Sequence, residues 1–224
     1  AKNICSLINI PMKTALYVPE TAVCSPKEVL KIILEKLKQR NVHFLSNTRV
    51  QKVNPNESLI KLKDFTVKYG YLFNCAGAYS LSIAKYFFKE LDYQIIPFRG
   101  NYLDISQNLS KEITTNIYPV PVDKQNFLGV HFTPPSIGGH QATIGPTANL
   151  ALGRENYFSF DNLEPILTTQ SVISIANMAL QNSNSMRNYI RSQMLPSTLD
   201  DLYNKAKKLI PVLKKSDVKY SSKC

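Results

Sequence analysis

Residues 71–80 read YLFNCAGAYS, a short apolar run followed by the small residues Cys75, Ala76, Gly77 and Ala78. Such a run is typical of a strand buried in a parallel sheet, and small residues after it let another molecule lie against the backbone. The stretch therefore predicts a strand whose carboxyl end faces a ligand. Neither a G-x-G-x-x-G loop nor a P-loop, which normally accompanies such a strand, occurs in the 224 residues.

A strong helix pattern precedes this stretch, in SPKEVLKIILEKLKQRN at residues 25–41. Ser25 followed by Glu28 matches a capping box, and Pro26 occupies the first helical position, where its missing N–H costs nothing. Apolar residues at helical spacing form one stripe. The stripe consists of Val29, Leu30, Ile33, Leu34 and Leu37.

Between this helix and the quoted stretch the pattern changes to short strands. Residues 42–45 (VHFL) predict one strand, and residues 48–53, 59–62 and 66–68 alternate like a hairpin meander with a turn at 54–56 (NPN). After the quoted strand, a serine at its end can cap a further helix of about ten residues. This order matches the second half of a doubly wound nucleotide-binding domain without its first strand and phosphate loop.

The chain changes character again near residue 93. Short apolar segments separated by Pro, Gly, Asn and Ser predict an antiparallel sheet, which we interpret as a substrate-binding layer. Helical periodicity returns in residues 163–180 and 199–209, and the tail beyond 213 shows no closing element. We expect three parts: 1–92, a partial nucleotide-binding domain; 93–155, the sheet; and 156–224, a helical segment leading back to the first part.

Composition limits the classes of protein. Hydrophobic residues make up 44% and charged residues 19%, as in ordinary globular proteins. No apolar stretch is long enough to span a bilayer, which leaves peripheral membrane contact open. The four cysteines lack C-x-x-C spacing and matching histidines, so we expect no metal site and interpret them as reduced thiols in the cytoplasm. The sequence begins with Ala1 and carries no secretory signal, which suggests that it starts inside something larger.

The formal charge of +11 permits binding to nucleic acid, to anionic lipid or to acidic small molecules. The lysines are scattered over a helix, a hairpin and the tail, and no RNP motif, zinc finger or helix-turn-helix spacing accompanies them. We therefore expect no nucleic-acid partner and favour an acidic small molecule.

Several blocks together resemble the L-2-hydroxyglutarate dehydrogenase/oxidase family, which belongs to the FAD-dependent enzymes of the D-amino-acid oxidase and glycine oxidase type. The blocks are ALYVPE (15–20), PFRGNY (97–102), IYPVPVDKQNFLGVHFT (117–133) and GPTANLALGRENY (145–157). The resemblance implies oxidation of the C2 hydroxyl of a 2-hydroxy dicarboxylate by hydride transfer to the flavin. It also implies a mitochondrial location if the organism is eukaryotic.

The resemblance defines the expected fold class: α/β (α+β), with a partial Rossmann-like FAD layer, an antiparallel substrate sheet and a helical C-terminal segment. In the family, the G-x-G-x-x-G turn belongs before Ala1 and a second flavin-contacting block belongs after Cys224. We therefore expect this chain by itself to bind FAD weakly or not at all.

By resemblance, five residues are candidates for FAD contact. The small-residue turn lies against the flavin in relatives, and a valine at the matching strand position meets the adenine with its backbone. Gly100 follows the arginine of the PFRG block, close to the ring system. These cofactor candidates are Val50, Ala76, Gly77, Ala78 and Gly100. For Gly77, the alternative is a tight turn that needs small residues for packing alone.

Four other residues are candidates for holding the substrate: Arg99, Tyr118, Tyr102 and Arg154. A dicarboxylate is held best by planar guanidinium groups, and pocket tyrosines supply hydroxyl groups. For Arg99 the alternative is an ion pair with Asp104, and the tyrosine rings alternatively pack within the sheet.

His131, in the LGVHFT block, is the candidate catalytic base. A neutral imidazole can accept the hydroxyl proton while hydride leaves C2. The alternative is a buried histidine satisfied by structural hydrogen bonds. The sequence departs from the family pattern at Thr147, where relatives tend to have Asn.

Two other functions stay open at this point. One is an amine or amino-acid oxidase of the same superfamily. The other is an inactive remnant or basic interaction module, which the scattered lysines and the missing cofactor loop would suit.

Overall fold

The computed structural model describes residues 3–9, 14–120, 129–136, 141–158, 160–181 and 198–221. Part of the 117–133 block, including Leu128, lies outside the described residues, as do Cys224 and the segment between the two C-terminal helices. The three described cysteines, Cys5, Cys24 and Cys75, are free thiols. Within the described ranges, no helix is both long and apolar enough to cross a bilayer.

Helices and antiparallel sheets make a mixed α/β chain, which confirms the expected fold class. The helices of the described ranges are α1 (Pro26–Gln39), α2 (Ser80–Ala84), α3 (Gln107–Ser110), α4 (Pro165–Gln181) and α5 (Leu199–Leu209). The strands are β1 (Lys52–Asn54), β2 (Leu59–Lys61), β3 (Thr66–Lys68), β4 (Phe98–Arg99), β5 (Leu103–Ile105), β6 (His131–Thr133), β7 (Thr143–Gly145), β8 (Asn149–Leu150) and β9 (Val218–Tyr220).

Helix α1 begins where the sequence predicts it. The Ser25 hydroxyl accepts a hydrogen bond from the Glu28 backbone N–H at 3.4 Å, and Pro26 is the first helical residue. The predicted apolar stripe is present but uncovered, because α1 contains no buried residue and Leu30 is 65% exposed. Local signals thus define this helix without help from a core.

The meander is also confirmed. Strands β1, β2 and β3 pair antiparallel in chain order, and the register aligns Val53 with Ile60 and Ile60 with Val67. The turn after β1 forms because the Asn54 side-chain oxygen accepts hydrogen bonds from the N–H groups of Asn56 and Glu57. An Asn side chain that bonds the backbone ahead of it is a common turn former.

Two predicted strands are wrong. Residues 42–45 and 71–75 form no strand, and Tyr71 and Phe73 are 90% and 85% exposed. A strand requires a hydrogen-bonded neighbour, and no described strand pairs with either segment. Apolar composition alone therefore does not order them.

The predicted helix after the quoted stretch is much shorter than expected. Helix α2 ends at Ala84, and Ser80 is its first residue rather than a side-chain cap. Three consecutive aromatic residues at 86–88, which are 40–59% exposed, follow it. Aromatic residues are weak helix formers, and a short helix needs tertiary packing to persist.

The main sheet has the order β6–β7–β5–β9, with antiparallel pairing throughout. It supports the hydrophobic core of the described residues, together with α5 and the segment around Cys5. The central members of this core are Leu103, Ile105, Phe132, Ile144, Leu202, Ala206, Ile210 and Leu213. Each is at most 2% exposed, so this half of the molecule is packed at the density of an ordinary domain.

The C-terminal region takes part in this sheet, which the sequence pattern did not predict. Strand β9 pairs with β5, aligning Leu103 with Tyr220 and Ile105 with Val218. Helix α5 begins with a complete capping box between Thr198 and Asp201 and packs its apolar face on the sheet. The segment beyond residue 198 therefore stabilises the sheet that carries the candidate substrate residues.

Candidate functional site

The main sheet brings three candidate residues together. His131 starts β6 and lies opposite Gly145 of β7. Tyr102, just before β5, covers Gly145 so closely that a methyl group there would collide with the tyrosine ring. Tyr118 reaches the same place, because Ile117 bridges to Phe132 next to His131. Residues far apart in the sequence thus form one cluster.

The imidazole of His131 is oriented by its neighbours. Its Nδ1 lies 3.0 Å from the carbonyl oxygen of Gly129, and Tyr118 stacks on the ring with centroids 4.6 Å apart. A carbonyl only accepts hydrogen bonds, so this contact assigns the proton of the neutral ring to Nδ1. Nε2 then carries the lone pair and can accept a proton. At 8% exposure, the ring is buried within the cluster.

The Tyr102 phenol lies close to that of Tyr118. Burial raises the pKa of Tyr102, and the charge that Tyr118 would carry when ionised raises it further. Tyr102 therefore stays a neutral hydroxyl at physiological pH and can donate a hydrogen bond to a carboxylate or carbonyl oxygen.

Two nitrogen atoms of the Arg99 guanidinium are buried without a hydrogen-bond partner among the residues that the structure describes. Arg99 lies in β4, opposite Asn149 of β8. Its Nε and Nη1 atoms are buried and donate no hydrogen bond to any described residue. The pairing with Asp104 that the sequence left open is not among the ion pairs of the described chain. A buried cation is costly unless it is paired, so this geometry suits an anionic ligand.

Two turns connect Arg99 to the His131 cluster. The Asn101 N–H donates to the Thr147 hydroxyl at 3.0 Å, and the Thr147 N–H donates to the Asn101 carbonyl at 3.0 Å. Gly100 lies so near Pro146 that an added Cβ would be 2.7 Å from the proline Cβ. Gly100 is therefore required here for close packing between protein segments.

Arg154 is engaged elsewhere. Its Nε and Nη2 atoms donate to the Glu164 carboxylate at 2.5–3.1 Å, and its Nη1 donates to the Ser82 hydroxyl at 2.9 Å. The hydrogen bond to Arg154 lowers the pKa of Glu164 below its usual value, and the same bond raises the pKa of Arg154. The described hydrogen bonds of this guanidinium thus go to α2 and to the residue just before α4, and none goes to His131, Tyr118 or Tyr102.

The turn proposed to face FAD is open. Gly77 has φ +53°, a left-handed conformation that favours glycine, and no atom lies within 4 Å of an added Cβ. Val50 and Ala76 line one cavity of about 840 Å³, and Ala78 lines a second of about 740 Å³. Four of the five cofactor candidates therefore border free space. The fifth, Gly100, lies against Pro146.

Sequence reasoning missed Tyr79, which is central to this region. The guanidinium carbons of Arg154 and Arg49 lie 4.4 Å and 5.4 Å from its ring centroid. Burial raises the pKa of the Tyr79 phenol, and a hydrogen bond to the Glu155 carboxylate raises it further. No spacing rule predicts this arrangement, because its partners come from two segments that are far from Tyr79 in the sequence. Within the described ranges, no three acidic, His or Cys side chains come together as a metal site.

The family model for FAD dependent oxidoreductases (DAO) matches residues 1–224. The chain belongs to this family. It is 34% identical over 211 residues to an L-2-hydroxyglutarate dehydrogenase of Indibacter alkaliphilus, which covers 91% of this chain and 51% of the relative. The human mitochondrial L-2-hydroxyglutarate dehydrogenase is 30% identical over 73% of this chain and 39% of its own length. An Escherichia coli enzyme of the same name is 27% identical over 171 residues. The chain spans about half the length, or less, of these curated relatives.

The described residues fit part of a flavin site. The Gly77 turn leaves open space beside exposed backbone, and the neighbouring cavity has the size of small-molecule sites, roughly 300–1,000 Å³. No glycine-rich phosphate loop is present in the sequence to hold the pyrophosphate. The region around Gly77 therefore leaves room for part of such a cofactor.

Proposed function

We propose that this chain carries the substrate site of an FAD-dependent oxidoreductase that oxidises the C2 hydroxyl of L-2-hydroxyglutarate, giving 2-oxoglutarate. Residues 1–92 would contribute part of the FAD-binding domain, and residues 93–155 the substrate sheet. The relatives named L-2-hydroxyglutarate dehydrogenase support the substrate, and family membership supports the cofactor.

The observation that carries the proposal is that two nitrogen atoms of the Arg99 guanidinium, Nε and Nη1, are buried without a hydrogen-bond partner among the described residues. Each can donate a charge-assisted hydrogen bond to a carboxylate oxygen. The hydroxyls of Tyr102 and Tyr118 would add hydrogen-bond donors. This set suits a substrate with carboxylate groups better than an uncharged alcohol.

His131 would act as the general base. Its Nδ1–H bond to Gly129 leaves the Nε2 lone pair available, and the stacked Tyr118 ring restricts rotation of the imidazole. Nε2 takes the proton of the C2 hydroxyl as the C2–H bond breaks, so the alcohol carbon becomes a ketone. Bound FAD supplies the acceptor for the hydride that leaves C2.

Val50, Ala76, Gly77 and Ala78 would lie against the cofactor through backbone atoms and small side chains. Gly100 would set the approach of the PFRG turn to the same region, since it packs without a side chain against Pro146. Arg154 would hold the Gly77 side of the site in place by bonding Ser82 and Glu164.

The test is stopped-flow reduction of the flavin, under anaerobic conditions, in the FAD-loaded full-length enzyme that contains this chain. L-2-Hydroxyglutarate should bleach the oxidised flavin spectrum and yield 2-oxoglutarate, whereas its D-enantiomer should not. Glycine and sarcosine serve as amine controls. Reduction by the amines alone would replace the proposal with an amine oxidase, and no reduction by any of these compounds would indicate an inactive remnant.

A further inference from the structure

We infer that Thr147 is a positioning residue for the anionic substrate: its hydroxyl locks the Gly100–Tyr102 turn and thereby places Arg99 and Tyr102 on either side of that turn. This inference rests on the proposed function, because it assigns Thr147 a part in holding the same dicarboxylate. Thr147 itself would not touch the substrate.

The lock consists of two reciprocal hydrogen bonds. The Asn101 N–H donates to Thr147 Oγ1, and the Thr147 N–H donates to the Asn101 carbonyl, both at 3.0 Å. Thr147 is 7% exposed, so solvent does not easily replace the hydroxyl as acceptor. A buried N–H that loses its partner carries the full cost of desolvation. The turn therefore has a single well-defined arrangement as long as the hydroxyl is present.

Close packing makes the positions of Arg99 and Tyr102 depend on these two hydrogen bonds. Gly100 lies against Pro146, and Gly145 lies under the Tyr102 ring, with no room for a side chain at either glycine. The turn at Gly100–Tyr102 and the turn at Gly145–Thr147 consequently cannot shift independently of each other. Arg99 precedes the locked turn directly, and Tyr102 ends it. A shift at Asn101 would therefore displace both the Arg99 guanidinium and the Tyr102 phenol.

The Thr147→Val substitution isolates the hydroxyl. Valine has nearly the shape of threonine but cannot accept the Asn101 hydrogen bond, whereas Thr147→Ser retains that acceptor. Thr66→Val is a matched control, because Thr66 is exposed on β3 in the meander and far along the chain from this site. Together, these three variants distinguish the effect of losing the Thr147 hydroxyl from the effect of replacing a threonine elsewhere.

In the FAD-loaded enzyme, Thr147→Val should raise KM for L-2-hydroxyglutarate about tenfold while kcat stays within about threefold. A tenfold change is expected because the loss of one hydrogen bond weakens substrate binding by about that factor. Thr147→Ser should restore KM, and Thr66→Val should change nothing. A purely structural role would reduce the amount of folded enzyme and so lower the maximal rate without raising KM. An unchanged KM in Thr147→Val would overturn the inference.

Two measurements on the same variants do not depend on turnover. Hydrogen exchange should be about tenfold faster or more at the Asn101 amide in Thr147→Val. The Kd for succinate, a non-oxidisable dicarboxylate, should rise by a similar factor. Unchanged exchange at Asn101 would refute the lock. An enzyme that binds succinate in a Thr147-dependent way but oxidises no 2-hydroxy acid would refute the proposed function and leave the inference standing.

Discussion

Tyr118 and His131 stack their rings, with centroids 4.6 Å apart and planes inclined by 28°. The stack holds one face of the imidazole, and the Nδ1 contact to Gly129 holds its edge. Both restraints act on a ring that is buried in the main sheet. The base proposed for this enzyme is therefore oriented before substrate arrives, which is what efficient proton transfer requires.

Replacing this base should remove proton transfer while leaving binding intact. His131→Asn retains an amide that can donate to Gly129 but cannot accept a proton, so kcat should fall about 10²–10³-fold with little change in KM. Anaerobic flavin reduction measures the chemical step directly. His43→Asn, at an exposed position outside the sheet, is the matched control. Equal losses in both variants would show that the effect is not specific to His131.

The Arg99 side chain should lower the free energy of unfolding when no ligand is bound. Arg99→Met removes a cation whose Nε and Nη1 atoms are buried without a partner among the described residues, so the free energy of unfolding without ligand should rise by about 1 kcal/mol. The same change should abolish stabilisation by succinate, which we expect to raise the Tm of the unchanged protein. Urea unfolding with and without succinate measures both effects.

Arg154→Met provides the contrasting variant, because it breaks the bonds to Glu164 and Ser82 and should destabilise the protein. If Arg99→Met is also destabilising without ligand, the guanidinium has a structural partner and the anion site is elsewhere.

Substitution of Gly77 should destabilise the protein because of the backbone conformation at this position. Nothing within 4 Å would meet an added Cβ, but φ +53° costs an L-residue about 1–2 kcal/mol. Gly77→Ala should lower the free energy of unfolding by that amount in chemical denaturation. Gly70→Ala, also in open space but without a positive φ, should not. If the flavin lies against Gly77, its affinity should fall further than the stability change explains, as fluorescence titration with FAD would measure.

The Arg154–Glu164 pair should make stability depend on acidic pH. The pKa of Glu164 is lowered in the folded state by its hydrogen bond to Arg154, from an ordinary value of 4.5. A carboxyl with a depressed folded pKa adds stability that is complete above its unfolded pKa and disappears as pH falls through the folded pKa.

The free energy of unfolding of Glu164→Gln should therefore be about 1 kcal/mol lower than that of the unchanged protein at neutral pH. The value is modest because both side chains are partly solvated. The difference from the unchanged protein should be constant between about pH 6 and 8 and shrink below about pH 4.5. Urea unfolding over this range gives the comparison. A difference that persists undiminished well below the folded pKa would mean that shape, and not charge, accounts for the effect.

Several elements were predictable from the sequence because their causes are local. Ser25, Pro26 and Glu28 define the start of α1 whether or not its apolar stripe is covered. The Asn54 turn and the alternation around it likewise specify the meander. The strand predicted at 71–75 failed because backbone pairing is supplied by a neighbour, and apolar composition does not reveal whether that neighbour is present.

The roles of the two arginines show the same division. The sequence offers both Arg99 and Arg154 as candidates for holding a carboxylate, with Arg154 the weaker of the two. The structure gives Arg154 a bidentate partner in Glu164 and a further bond to Ser82, while two buried nitrogen atoms of Arg99 have no partner among the described residues. Partner choice depends on which elements meet in space, so it follows from the packing of α2 and α4.

By itself, the sequence determined the helix caps, the turn residues, the alternation of the strands and the blocks that predict an FAD-dependent oxidoreductase. These depend on neighbours within a few positions or on preserved local motifs. The tertiary structure alone decided that β9 joins the main sheet, that Tyr118 stacks on His131, and that Thr147 holds Asn101. Such contacts join distant segments, and their energies arise only when burial excludes water from both partners.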